Sequence, residues 1–152
     1  MTAARRFVVF PLGRKRFALP AEVVAELAQP DRLQEFPHTT PLLTGVLVRR
    51  GHIIPVCDVA QRLVGRDAPA RRFYLIANSD LVGSRQMIAL PVTGECELVA
   101  ADMREPAGEL PPYVLGLLSL HEELIEVIKL ESLMSMSALH GAPARLAAEV
   151  RV

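Results

Sequence analysis

Gly45-Val46-Leu47-Val48-Arg49-Arg50-Gly51-His52-Ile53-Ile54-Pro55-Val56-Cys57-Asp58 is two apolar, β-branched-rich runs joined across an Arg-Gly pair. A glycine in a short link between such runs predicts a β-hairpin. Gly51 takes a positive φ at little cost and Arg50 does not. A type I′ turn needs positive φ at both central positions, so a type II turn, or a type I turn with a glycine bulge, is expected, with the register open by one residue. Neither arm alternates cleanly: Val46 to Val48 are consecutive, and Ile53, Ile54 and Val56 flank Pro55. Strands apolar on both sides are usually covered on both sides, which predicts a central hairpin whose charged tip, Arg49, Arg50 and His52, reaches a surface. Pro55 cannot donate a ladder hydrogen bond and suits a bulge or an exposed edge. Asp58 suits the N-cap of a short helix, Val59 to Val64, stopped by Gly65.

The whole chain has 152 residues, half of them apolar, and its 17 basic and 17 acidic residues cancel. That is a normal size for one domain with a sizeable core. A neutral chain with no basic run argues against nucleic acid as the main partner and gives no reason for attachment to an acidic membrane surface. No run approaches the ~18 apolar residues of a membrane span. The apolar run after Arg6 is too short for a signal peptide, and a soluble cytoplasmic protein without membrane insertion is expected. Tryptophan is absent, and 12 prolines with 9 glycines suit many short elements.

Around the central hairpin, Phe7 to Leu12 and Arg16 to Leu19 form a second hairpin across Gly13. Ala21 to Leu27 combines a helical turn and a strand. Pro30 to Pro41 is a proline-containing loop. The polar stretch 65–72 marks a seam between two halves. Phe73–Ala77, Gln86–Leu90 and Glu97–Val99 read as strands, with Asn78-Ser79-Asp80 as a turn, and Pro106 to Pro112 as a loop. Tyr113 to Leu120, the turn His121-Glu122-Glu123 and the return Leu124 to Leu130 then echo the central hairpin about seventy residues later. Glu131 to Met134 closes with a helical turn. Residues 1–134 are thus one domain of two barrel subdomains, and 135–152 form a tail with helical potential. Two similar strand-rich halves predict an all-β protein of two small barrels with short helices.

Gly45, Arg50, Gly51, Pro55 and Asp58, at their spacing, resemble the signature of the CheW-like family of chemotaxis adaptor domains. The opening Phe-x-Leu-Gly-(three residues)-Phe-Ala-Leu-Pro resembles that family's first hairpin, and the likeness runs from Phe7 to Met134. It implies two five-stranded, SH3-like β-barrels sharing a core, and a non-enzymatic scaffold. One barrel end would dock the regulatory domain of a CheA-type histidine kinase; a surface near the groove between barrels would hold the cytoplasmic tip of a chemoreceptor. It implies partner-binding roles for Val24, Gly45, Arg49, Arg50, Gly51 and Gly116. The chain departs from the family at Val48 and Arg49, where a polar residue and a leucine are usual, and at Leu90-Pro91-Val92-Thr93-Gly94, where the family often has a Val-Asp pair.

The residues themselves also support blander roles. Arg50 could be a solvated turn residue, Gly45 and Gly116 could provide backbone room in crowded strands, and Val24 has core periodicity. No histidine lies three or four residues from another histidine or a cysteine, so no metal-ligand spacing exists, and no cofactor is expected. In an extended strand Cys57 lies ~16 Å from His52, beyond proton-transfer reach. Both cysteines, Cys57 and Cys96, fit small buried apolar positions. The alternative reading, a small-molecule-sensing barrel, requires an apolar pocket with convergent polar groups.

Overall fold

The computed structural model describes residues 5–29, 43–65, 73–81, 84–105 and 108–135. The expected loop Pro30–Pro41 and the tail beyond Ser135 lie outside them. The elements are β1 (Arg5–Leu12), β2 (Lys15–Pro20), a 3-10 turn (Ala21–Val23), β3 (Val24–Ala28), β4 (Leu43–Arg49), β5 (His52–Cys57), α1 (Ala60–Val64), β6 (Phe73–Leu81), β7 (Ser84–Val92), β8 (Glu97–Ala101), β9 (Val114–Leu120), β10 (Glu123–Ile128) and α2 (Leu130–Met134). They make two curled five-stranded sheets, the two expected barrels, with orders β8-β1-β2-β10-β9 and β3-β6-β7-β5-β4.

The echo in the sequence is a full structural repeat. In β4–β5, Gly45 pairs with Val56 and Leu43 with Cys57, the register shifting between them. In β9–β10, Gly116 pairs with Val127 and Val114 with Ile128, with the same shift. Each residue of the second set stands 71 positions after its counterpart. Phe7 opposite Pro20 in β1–β2 likewise matches Tyr74 opposite Pro91 in β6–β7. The repeats exchange parts: the first barrel joins β1–β2 to β8, β9 and β10, and the second joins β6–β7 to β3, β4 and β5. The expected seam at 65–72 is therefore corrected, because strands before and after it share one sheet. The chain crosses between barrels at the 3-10 turn and between β7 and β8.

This exchange explains the doubly apolar strands. Phe7, Val9, Ala18, Leu118, Ile125 and Val127 fill the first barrel. Their equivalents Tyr74, Ile76, Ala89, Leu47, Ile54 and Val56 fill the second. The alternate side chains of the crossing hairpins, Phe10, Leu12, Phe17 and Leu19 from one, Leu75, Ala77, Ile88, Leu90 and Val92 from the other, meet in a core between the barrels, closed by Leu63 of α1 and Leu133 of α2. Each fully buried aliphatic side chain contributes roughly 1.5–3 kcal/mol. Arg62 of α1 donates to the carbonyls of Leu133 and Met134, both at 2.7 Å, and ties the two helices together.

The strands covered on both faces are thus β1, β2, β6 and β7. The β4–β5 hairpin is instead peripheral, with β4 last in its order and Ile53 72% exposed. Its turn also differs from expectation. Arg49 pairs with His52, leaving two loop residues, and Arg50 (φ 50°) and Gly51 (φ 80°) both have positive φ. That is the type I′ pattern, whose twist matches the flanking strands; the pairing of the arms outweighs the ~1–2 kcal/mol cost of a left-handed arginine. Asn78 to Asp80 are strand, held by pairing with Met87, Gln86 and Arg85. The α1 helix starts one residue late, and the buried Asp58 carboxylate accepts from the Ala60 amide at 3.1 Å.

Gly116 closes the first barrel. Arg104 and Leu117 exchange backbone hydrogen bonds, both 2.8 Å, across its open side. A Cβ on Gly116 would stand 2.7 Å from Met103 Cγ and 2.9 Å from the Arg104 carbonyl. At Gly51 a Cβ meets nothing within 4 Å, and only the positive φ resists substitution. Gly116→Ala should therefore cost about 1–3 kcal/mol and Gly51→Ala about 1 kcal/mol. Urea unfolding of both variants checks this order, and a Gly116→Ala protein as stable as the wild type would refute the closure.

Candidate functional site

The second barrel carries the arginine tip. Its outermost strands, β3 and β4, have no ladder partner on their outer sides in the strand order. Glu26 on β3 and Arg49 on β4 stand two residues along from Ala28 and Leu47, which line the barrel interior. Arg49 Nε donates to Glu26 Oε1 at 3.2 Å and Nη2 to Oε2 at 3.1 Å. Their side chains are only 24% and 29% exposed. A bidentate pair of this kind has directionality that a lysine lacks, and here it clasps the two end strands together. The Arg49 hydrogen bond, opposed by burial and assisted by the charges of Arg49 and Arg50, holds the Glu26 carboxyl below its ordinary value.

Arg50, next along, is exposed and makes no hydrogen bond or ion pair among the described residues. Val48 and Ile53 are cross-strand partners beside it, 47% and 72% exposed. Two aliphatic side chains flanking a solvated guanidinium form a small amphipathic surface of the type enriched in protein interfaces.

The expected site residues do not all meet there. Arg49, Arg50 and Gly51 form the tip. Gly45 is buried at the base of the same hairpin, beside the bulge at Thr44. Val24 is half-buried, opens the strand that carries Glu26, and packs on the core between the barrels. Gly116 lies in the other barrel at the position equivalent to Gly45. Sequence reasoning missed Glu26, since nothing local marks it as the partner of a residue 23 positions on. It also missed the exposure of Val48 and Ile53, which look like core residues until the register is known.

At the equivalent tip of the first barrel, His121 (φ 48°) and Glu122 (φ 65°) form the turn with no glycine, and Leu124 is 68% exposed. Arg16 bonds Glu123 at 2.8 Å and lies 3.6 Å from Glu97. The tip of the first barrel is acidic where that of the second is basic.

Nothing at either tip is arranged for chemistry. Cys57 and Cys96 are free thiols; burial pushes Cys57 up to about 12, with Arg62 pulling the other way, and Cys96 up to about 11. Both remain protonated at neutral pH, which removes the nucleophile that a cysteine enzyme needs. No group of three metal-ligating side chains occurs among the described residues. The barrel interiors, where a sensed molecule would sit, are filled with aliphatic side chains, Phe7 and Tyr74.

A family model described as "CheW-like domain" matches residues 6–138, across both barrels. The chain belongs to the CheW-like domain family. It is 25% identical to a probable chemotaxis protein CheW of Rhizobium etli, over 91% of this chain and 92% of that one. It is 27% identical to the chemotaxis protein CheW of Klebsiella aerogenes, over 88% and 84%, and 25% identical to protein FrzA of Myxococcus xanthus, over 82% and 74%. The crystal structure of the scaffolding protein TtCheW from Thermoanaerobacter tengcongensis has the same fold, with a TM-score of 0.73 at 24% identity, over 88% of this chain and 90% of that one. The CheW-like fold here is the twin barrel expected from the sequence. No helix among the described residues is long and apolar enough to cross a membrane.

Because the folded state lowers the Glu26 pKa, the clasp stabilises this CheW-like domain above the ordinary value of 4.5 and is lost as pH falls below it. Glu26→Gln should thus cost about 0.5–1 kcal/mol at pH 7 and less at pH 3, below the ordinary carboxyl value, as read from urea unfolding at both pH values. An equal deficit at both would show that the carboxylate's charge is immaterial. Native Cys57 should resist iodoacetamide at pH 8 and react on unfolding, measured by mass spectrometry.

Proposed function

We propose that this protein is a non-enzymatic chemotaxis-type adaptor, coupling chemoreceptors to a CheA-type histidine kinase in the cytoplasm. The observation that carries this reading is the CheW-like match running through both barrels, residues 6–138. Its relatives include proteins named for chemotaxis, and the protein that shares its fold is titled a scaffolding protein. An adaptor works by fixing the geometry between two partners, which requires rigid exposed surfaces and no reacting group. The dense core between the barrels and the inert thiols suit that task.

The partner-binding residues we assign are Val24, Gly45, Arg49, Arg50, Gly51 and Gly116, in two kinds of role. Arg50 offers donors to a partner, with Val48 and Ile53 beside it as apolar contacts. Arg49 and Gly51 set the shape of the tip. Val24, Gly45 and Gly116 act from within, by holding strands in register. The kinase's regulatory domain and the cytoplasmic tip of a receptor are the partners; nucleic acid is not, and the protein does not insert into membrane itself. Residues 1–134 form the working domain and 135–152 a tail to it.

Arg50→Ala should leave the melting temperature within about a degree, because an exposed side chain contributes little to stability. It should weaken capture of the kinase regulatory domain about tenfold or more in a pull-down or calorimetric titration. Folded wild-type protein that bound neither the kinase domain nor a receptor tip would refute the reading.

A further inference from the structure

The two hairpin tips repeat one turn with opposite charge. Arg50 and Gly51 link Arg49 to His52, and His121 and Glu122 link Leu120 to Glu123, with all four loop residues at positive φ. Ile53 and Leu124 hold equivalent positions and are 72% and 68% exposed. The Arg50 guanidinium and the Glu122 carboxylate are exposed and have no hydrogen-bond or ion-pair partner among the described residues. Glu123, by contrast, is taken by Arg16 at 2.8 Å. Beside the acidic tip lies an open groove of about 410 Å³, lined in part by Leu110, Leu117 and Leu124, with Glu126 from β10 and Arg14 and Lys15 from the β1–β2 hairpin.

Opposite charges, each beside an exposed aliphatic side chain, make the two tips complementary to each other. Contact between like tips would set Arg50 against Arg50 or Glu122 against Glu122, which opposes a two-fold pairing of identical surfaces. The whole chain carries 17 basic and 17 acidic residues, so no net charge holds copies apart. We propose that the protein associates with itself head to tail, the Arg50 tip of one copy against the Glu122 tip of the next, with Ile53 seated in the groove beside Leu124. Glu122 and Glu126 draw Arg50 in, while Arg14 and Lys15 oppose it. Tips with so few exposed apolar side chains fall short of the ~1,200–2,000 Å² of a stable interface, so the association is weak and sets in at high concentration.

Sedimentation velocity of the full chain, from dilute to about millimolar protein at about 50 and 300 mM salt, tests this with no kinase or receptor present, so its failure leaves the adaptor reading standing. The weight-average mass of the wild type should rise above the monomer's 16.7 kDa with concentration, and rise less in high salt. Arg50→Glu makes both tips acidic, and Glu122→Arg makes both basic. Each alone should self-associate about tenfold more weakly or less still. An equimolar mixture of the two should recover association, and so should the two changes combined in one chain, where the charges are exchanged. Both positions are exposed loop residues, so the fold survives either change. Lys15→Glu removes a cation from the groove and should tighten the contact about two- to threefold. A wild type that stays monomeric, single variants that associate as the wild type does, a mixture without recovery, or a Lys15→Glu protein no tighter than the wild type would each overturn the inference and leave the tips to partners of other chemistry.

Discussion

The structure depends on two hairpins that are wetted on neither face. β1–β2 and β6–β7 each give one row of side chains to a barrel interior and the other row to the core between barrels. Because the two repeats exchange these hairpins, neither barrel is complete without strands from both repeats. Separating the barrels would expose Phe10, Leu19, Leu75, Ile88 and Leu90, all fully buried, and at roughly 25 cal/mol per Å² such exposure exceeds the marginal stability of a domain this size. The molecule consequently behaves as one rigid unit assembled from two copies of a plan.

Rigidity at the centre lets the periphery vary. The two equivalent tips have the same bulge, the same two-residue loop and an exposed aliphatic residue in the same place, Ile53 and Leu124. Their charges differ: Arg50 stands out from one, while Glu122 and Glu123 mark the other. In the acidic tip, even glycine has been dispensed with, and His121 and Glu122 are held at positive φ by the register of long strands on either side. Barrel closure also differs, by a backbone bridge at Gly116 in one and by the Glu26–Arg49 ion pair in the other. A scaffold that must hold different partners at its two ends needs this combination of shared frame and divergent rims, since specificity comes from the rim charges while the frame fixes their separation.

The central hairpin, the opening hairpin and the repeat could be read from the chain because each is local: an apolar run, a turn residue and a second run. The mistakes have one physical source. Val48 and Ile53 look in sequence like buried strand residues, since an apolar residue facing a partner protein and one facing the core have the same chemistry. That placed β4–β5 at the centre, although the doubly covered strands are β1, β2, β6 and β7. Asn78 to Asp80 has turn composition, yet pairing with β7 keeps it extended. The polar stretch 65–72 has the composition of a boundary, but nothing local says to which sheet the strands beside it belong.

The amino-acid sequence by itself determined the element types, the twin-barrel class and the family, through patterns confined to a dozen or so neighbouring residues at a time. Only the tertiary structure decided that the repeats exchange hairpins, that Arg50 adopts a left-handed conformation in a two-residue turn, and that Glu26 meets Arg49. Each of these depends on strands far apart in the chain lying side by side, and pairing energy summed over many residues overrides the preference of any one of them.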